Sequence, residues 1–230
     1  MLYGICNLSI VPLKLEPSDE SEMVSQVLFG EHFKVIEKRK NWSKIRIHFD
    51  SCEGFIDNKQ FEEITEEVYE ELSNAKATLS GELIDFITEE NGNLTTIPIG
   101  ATLPFFSNKK TFIGEKPYSY EGLIINKILE KNYILKTAFL FLNTHFWGGK
   151  TPFGVDSSGF TQMVYKLCGY RLLRLAKEQA TQGEVLSFIE ESEPGDLAFF
   201  DDNEGNITHV GIIMKDNYII HAHGKVRIDR

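Results

Sequence analysis

The sequence predicts an α+β protein: strand-rich modules first, then helices, then a closing antiparallel sheet. Three observations carry this. Apolar residues alternate with polar ones in the first third of the chain. The apolar spacing shifts to three- and four-residue steps near residue 124. Beyond residue 196 the chain returns to short strands broken by turns, and helices followed by a sheet is an α+β order.

In the first 64 residues, Val24 to Phe29 is an apolar, partly β-branched run that ends at the turn Gly30-Glu31. Phe33, Val35 and Ile36 follow, and Ile45, Ile47 and Phe49 then alternate with polar residues as a half-buried strand does. Asp50 to Gly54 is a turn, and Phe55-Ile56 opens another strand. Strands this short and this closely spaced predict a small β-barrel. Residues 65–80, rich in Glu and Ala, read as an acidic connector or short helix. A second β-rich segment over about 81–123, with a turn at Asn91-Gly92-Asn93, predicts a second small barrel. The domain boundaries that follow are 1–64, 65–123 (connector and second module) and 124–230.

Ile128, Leu129, Ile134, Leu135, Phe139 and Leu142 predict one or two helices between 124 and 143. A glycine- and proline-rich loop, Trp147 to Gly154, comes next. Thr161 to Leu167 reads as a helix stopped by Gly169, and Leu175 to Gln182 as another. Strands are expected at Leu197–Phe200, His209–Met214 and Tyr218–Ala222.

The chain has 230 residues, 42% hydrophobic and 25% charged, which is ordinary globular composition. With 24 basic and 34 acidic residues the net charge is −10, and such a chain repels phosphate backbones, so no nucleic-acid partner is expected. No apolar run is long enough to span a membrane, and the first residues lack a basic region followed by an apolar core. The expectation is a cytoplasmic protein with no membrane partner, the alternative being a periplasmic or exported one if a leader was trimmed. Cys6, Cys52 and Cys168 are odd in number and far apart, which suits buried thiols better than a zinc ribbon or redox pair.

The chemistry-bearing residues lie in the second half. Asp156, Ser157 and Ser158 follow a loop and open a helix. A nucleophile there faces the positive end of the helix dipole, and the free N–H groups of the first turn offer an oxyanion hole. The same three residues are also good N-caps. His209 and His221 fall in adjacent predicted strands, where one imidazole can fix the tautomer of the other. His221 and His223 share a strand face, so a metal site using His209, His221 and His223 is a lesser alternative; no cofactor or metal is expected.

Taken together, Phe146-Trp147-Gly148-Gly149, Asp156-Ser157-Ser158-Gly159-Phe160, Glu193 to Phe200, His209-Val210-Gly211-Ile212 and Ile220-His221-Ala222 occur in an order and spacing that resembles the NlpC/P60 family of papain-like cysteine peptidases. The β-rich half resembles the bacterial SH3-type modules that precede this domain in γ-D-glutamyl-L-diamino acid endopeptidases. The resemblance rests there on Ser21 to Gln26, Phe29-Gly30-Glu31, Trp42 and Glu53 to Asp57. It implies a papain-like domain after two SH3-like barrels, and hydrolysis of the γ-D-glutamyl–diamino acid bond in short peptidoglycan stem peptides with a free N-terminal L-Ala. It assigns catalysis to position 157, to His209 as general base and to His221 as its orienting partner. Substrate binding is implied for Asp156, Ser158, Trp147 and His145, with a carboxylate from Glu22 in the first module.

Four features depart from the family pattern. Ser157 stands where the family has its nucleophilic cysteine. A thiol beside an imidazole ionises near neutral pH and a hydroxyl does not, so the chain is expected to be inactive or nearly so. With both histidines retained, the change reads as a single substitution rather than general decay, and a non-catalytic peptide-binding protein is the alternative. His145 replaces a frequent Tyr, while Ser51-Cys52 and Phe55 replace aromatic positions of the first module's turn.

Overall fold

The computed structural model describes residues 1–230 as two compact units, Met1–Asn126 and Lys127–Arg230.

The first unit begins with β1 (Leu2–Ile5), β2 (Ile10–Lys14), β3 (Met23–Leu28), β4 (His32–Lys38), β5 (Trp42–Ile47), β6 (Glu53–Asp57) and β7 (Glu62–Ile64). They form one antiparallel sheet in the order β3-β2-β6-β5-β4-β1-β7. Bulges between Leu13 and Lys14 and between Val35 and Glu37 bend it. No ladder joins β3 to β7, so the expected closed barrel is an open, coiled sheet. Edge strand β7 is only three residues long because Thr65 at once caps α1 (Glu66–Asn74), its Oγ1 accepting from Val68 N–H. The alternating residues do what their period requires: Phe33, Val35, Ile45 and Ile47 meet Val11, Leu13 and Ile56 in one core.

α1 settles on this sheet through a polar cluster. His32 stacks on His48 at 4.7 Å between ring centroids, with Tyr69 edge-on to both. The Ser73 hydroxyl lies 3.0 Å from His32 Nε2. Burial, and then the adjacent His48, push the His32 pKa down to about 4 against a smaller opposing pull from Glu31.

The second module contains β8 (Leu79–Ser80), β9 (Ile84–Glu89), β10 (Leu94–Pro98), β11 (Lys110–Ile113), β12 (Lys116–Ser119) and β13 (Ile124–Ile125). Four of them form an open antiparallel sheet, β10-β9-β12-β11, and β13 pairs with β8. Its core is not its own. Ile5 and Phe29 of the first module pack with Ile87, Ile97, Tyr118 and Tyr120, which makes residues 1–126 one packing unit. Gly30, at φ +74°, permits this approach: a Cβ there would lie 2.2 Å from the Thr102 carbonyl oxygen.

The second unit contains α2 (Asn132–Phe139), the short pair β14 (Lys150–Thr151) and β15 (Gly154–Val155), α3 (Ser157–Leu167), α4 (Ala176–Gln179), and a sheet of β16 (Leu197–Asp201), β17 (Ile207–Ile213), β18 (Ile219–His223) and β19 (Lys225–Asp229). That sheet is an antiparallel meander, β16-β17-β18-β19. The helical stretch before Asn143, expected as one or two helices, is a single helix. α3 starts at Ser157, where Asp156 caps it and where the Asp156-Ser157-Ser158 segment was expected to open a helix, rather than at the Thr161 of the periodic run. The helix expected over 175–182 is one turn long. α3 is buried on almost every side and packs against α2, β14, β17 and β18. A helix enclosed in this way cannot shift its first turn without disturbing the core.

Candidate active site

Two backbone features hold the α3 N-terminus. The Asp156 carboxylate accepts the Gly159 N–H at 2.7 Å, capping the helix. The Gly148-Gly149 turn, at φ +113° and +89°, brings the Gly149 carbonyl to the Asp156 N–H at 3.2 Å. Gly159 is required where these features meet, since a Cβ on it would lie 2.0 Å from the Gly149 oxygen. Ser157 is therefore the first residue of α3, only 7% exposed, at the end where unpaired N–H groups and the helix dipole favour negative charge.

The imidazoles come from the meander. Gly211 of β17 lies directly opposite His221 of β18, and a Cβ at Gly211 would sit 3.0 Å from the His221 Cβ. The bare position lets the His209 and His221 rings meet across the strands, with His209 Nε2 and His221 Nδ1 2.7 Å apart. His221 Nε2 lies 2.9 Å from Asp229 Oδ2 on β19. Asp229 Oδ1 in turn accepts from Arg227 Nε at 3.0 Å and Nη2 at 2.6 Å. The hydrogen bonds to His221 and then to Arg227 hold the Asp229 carboxyl below the usual range, so it is ionised and only accepts. In the neutral pair, His221 carries its proton on Nε2 toward Asp229, its Nδ1 accepts from His209 Nε2–H, and His209 Nδ1 is left with a free lone pair. Burial first, and then the neighbouring His221 and His223, lower the His209 pKa, so the ring is neutral at neutral pH. A neutral imidazole with one fixed, unprotonated nitrogen has the lone pair that a general base needs. His221 uses both nitrogens in this hydrogen-bonded chain, and no group of three or more His, Cys, Asp or Glu side chains is placed to hold a metal ion.

The other site residues divide. Asp156 is paired with Arg174, which is 2% exposed: Nη2 to Oδ2 at 2.5 Å and Nη1 to Oδ1 at 3.0 Å. Burial acts upward on the Asp156 carboxyl. The Arg174 charge and hydrogen bonds, with the Gly159 N–H and Ser158 hydroxyl, outweigh it and hold the group below its ordinary value. The Ser158 hydroxyl donates to Asp156 at 3.1 Å and accepts from Arg174 at 3.1 Å. Both residues expected to bind substrate are thus first parts of the helix cap, and Asp156 meets any ligand with its charge already balanced. Trp147 is exposed, and its Cβ and Cε3 flank Gly154. His145 pairs with Lys225 in a β-bridge, its Nε2 on the same side of Gly154. Glu22 is an exposed residue of the first unit, where its carbonyl accepts from Leu15 N–H.

Sequence reasoning missed Arg174, Gln179 and Asp229. Gln179, fully buried, donates to the Ser158 and Leu173 carbonyls and accepts from Thr161. Arg174 leaves no signal in the sequence beyond its place immediately before the helix expected over Leu175–Gln182. For Asp229 the signal was the alternation Val226, Ile228 that marks a fourth strand.

Residue 157 at a helix N-terminus and a polarised imidazole pair in the same unit are the parts from which an acyl-transfer site can be built. Residues 143–230 match the NlpC/P60 family, and residues 15–61 match the bacterial dipeptidyl-peptidase SH3 domain. The chain therefore carries an NlpC/P60 domain, of a cysteine peptidase family, with an N-terminal bacterial SH3 domain. It is homologous to the Gamma-D-glutamyl-L-lysine dipeptidyl-peptidases of Bacillus cereus and Bacillus subtilis, at 25% identity to each. The match covers 91% of this chain and 70% of the former, and 86% and 71% for the latter. Over 33% of this chain it is 41% identical to the Probable endopeptidase p60 of Listeria seeligeri, 14% of which is covered. The crystal structure of an NlpC/P60 family protein from Bacillus cereus has the same fold, with a TM-score of 0.84 over 99% of this chain and 93% of that one at 20% identity.

Proposed function

We propose that this site belongs to a peptidoglycan stem-peptide hydrolase that cuts the γ-D-glutamyl–diamino acid bond of short peptides with a free N-terminal L-Ala, and that Ser157 leaves the chain inactive or nearly so. The observation that carries the reading is the His209–His221–Asp229 chain, in the unit whose helix N-terminus presents residue 157. With cysteine at 157, His209 Nδ1 takes the thiol proton and the thiolate attacks the γ-carbonyl carbon. First-turn N–H groups of α3 stabilise the oxyanion. The His209 proton passes to the leaving amine, the C–N bond breaks, and water, deprotonated by the same nitrogen, releases the L-Ala-γ-D-Glu acyl group. A serine hydroxyl has a pKa far above that of a thiol, about 8.5, so no resting nucleophilic anion forms.

The Ser157→Cys variant should hydrolyse L-Ala-γ-D-Glu-diamino acid peptides, and the native chain should not. Acetylating the substrate amine should slow the variant strongly, because it removes the free ammonium group of the N-terminal L-Ala that the reading requires. Equal rates on free and acetylated peptides, or efficient release from intact cell wall, would remove the requirement for a free amine. A native chain that binds the peptide while Ser157→Cys still fails to cut it would favour the non-catalytic binding reading that Ser157 itself suggests.

A further inference from the structure

We infer that Asp229 is a positioning residue of this site, and that Arg227 makes it an obligate acceptor, so that the pair selects which nitrogen of His209 serves as the base. The inference deepens the proposed function and rests on it for the meaning of His209, but the tautomer it describes is a property of the native chain. Asp229 is the last residue of β19 and lies at the end of the hydrogen-bonded chain, 2.9 Å from His221 Nε2. Its second oxygen is held by the Arg227 guanidinium through two hydrogen bonds. Arg227 has only donors to give, so whatever side chain stands at 229 must turn an acceptor toward it.

This constraint distinguishes a positioning role from a structural one. In Asp229→Asn the amide oxygen is committed to Arg227 and the NH2 group faces His221. His221 Nε2 then becomes an acceptor and its proton moves to Nδ1. His209 Nε2 must accept in its turn, so His209 carries its proton on Nδ1, the nitrogen that ought to receive the nucleophile's. The backbone and packing are unchanged, yet the base is capped. Removing Arg227 as well frees the amide to rotate and present its oxygen to His221, which restores the original tautomer.

The test is made on the native chain first. Nitrogen-15 NMR of the histidine side chains at pH 7 should show His209 protonated on Nε2, the reverse in Asp229→Asn, and the original pattern in Arg227→Ala/Asp229→Asn. An unchanged His209 tautomer in Asp229→Asn overturns the inference, whatever the enzyme does. In the Ser157→Cys background, Asp229→Asn should lower kcat about 10²–10⁴-fold with little change in KM, as wrong-tautomer variants of catalytic triads do. Asp229→Glu should recover part of that loss, and the pH at which iodoacetamide alkylates the thiol should rise in Asp229→Asn. Hydrolysis by Asp229→Asn at the parent rate overturns the positioning role. Failure of Ser157→Cys to cut any of the peptides, with the tautomer still reversing in Asp229→Asn, would count against the substrate assignment and leave the inference standing.

Discussion

Replacing Arg174 with methionine should uncouple the nucleophile position from its support. The guanidinium makes two hydrogen bonds to Asp156 and one to Ser158, and Met keeps much of the side-chain volume while removing all three. Asp156 is then left half-buried with only Gly159 N–H and the Ser158 hydroxyl. Stripping one partner from a buried pair costs about 3–5 kcal/mol, and the partial exposure of Asp156 puts the expectation near the lower end, about 3 kcal/mol. For a unit of about 100 residues that corresponds to a fall in Tm on the order of 10 °C. The pH dependence has a definite sign. In the native chain the depressed Asp156 pKa contributes stability above the unfolded carboxylate value, and this is lost as pH falls through the folded one. In Arg174→Met, burial acts without opposition and raises the Asp156 pKa, so the group protonates and its penalty fades as pH falls toward about 4. Melting curves of both proteins between pH 4 and 8 should therefore converge on the acid side, and Asp156→Asn/Arg174→Met should be more stable than Arg174→Met at pH 7. A Tm change below about 3 °C, or one equal at pH 4 and pH 7, would refute the reasoning.

Gly159→Ala should be costly although alanine is the better helix former, because its Cβ would run into the Gly149 oxygen. A loss of about 1–3 kcal/mol by denaturant titration, together with impaired hydrolysis in the Ser157→Cys background, is expected, and a stabilised protein would contradict it. The first unit should lose stability as pH falls from about 6.5 to 4, since His32 is held neutral in the fold but protonates when unfolded. The contribution is about 3 kcal/mol, and a His32→Gln variant should show a flatter stability profile over that range when followed by circular dichroism.

The strands of the first half were legible because their inward residues alternate, and the motifs of the second half were legible because the Gly-Gly turn, the cap and the His-x-Gly strand are local. What escaped is what distant segments impose. The open sheet follows from a short β7 that runs straight into α1, and the shared core follows from Ile5 and Phe29 crossing between modules; neither leaves a periodic trace. The start of α3 at Ser157 was legible from Asp156 as a cap, although the apolar helical period itself begins only near Thr161. Arg174 and Asp229 reveal their roles only when a loop and a strand bring them to Asp156 and His221. The Asp156 carboxylate, read from sequence as a partner for an ammonium group, is already the partner of a guanidinium in the fold.

The most direct measurement of the central claim is mass spectrometry of the products formed by Ser157→Cys from the free tripeptide L-Ala-γ-D-Glu-L-Lys. The account predicts L-Ala-γ-D-Glu and free lysine from the variant, and intact tripeptide from the native chain. Release of alanine in place of lysine, or an intact tripeptide with both proteins, would contradict it.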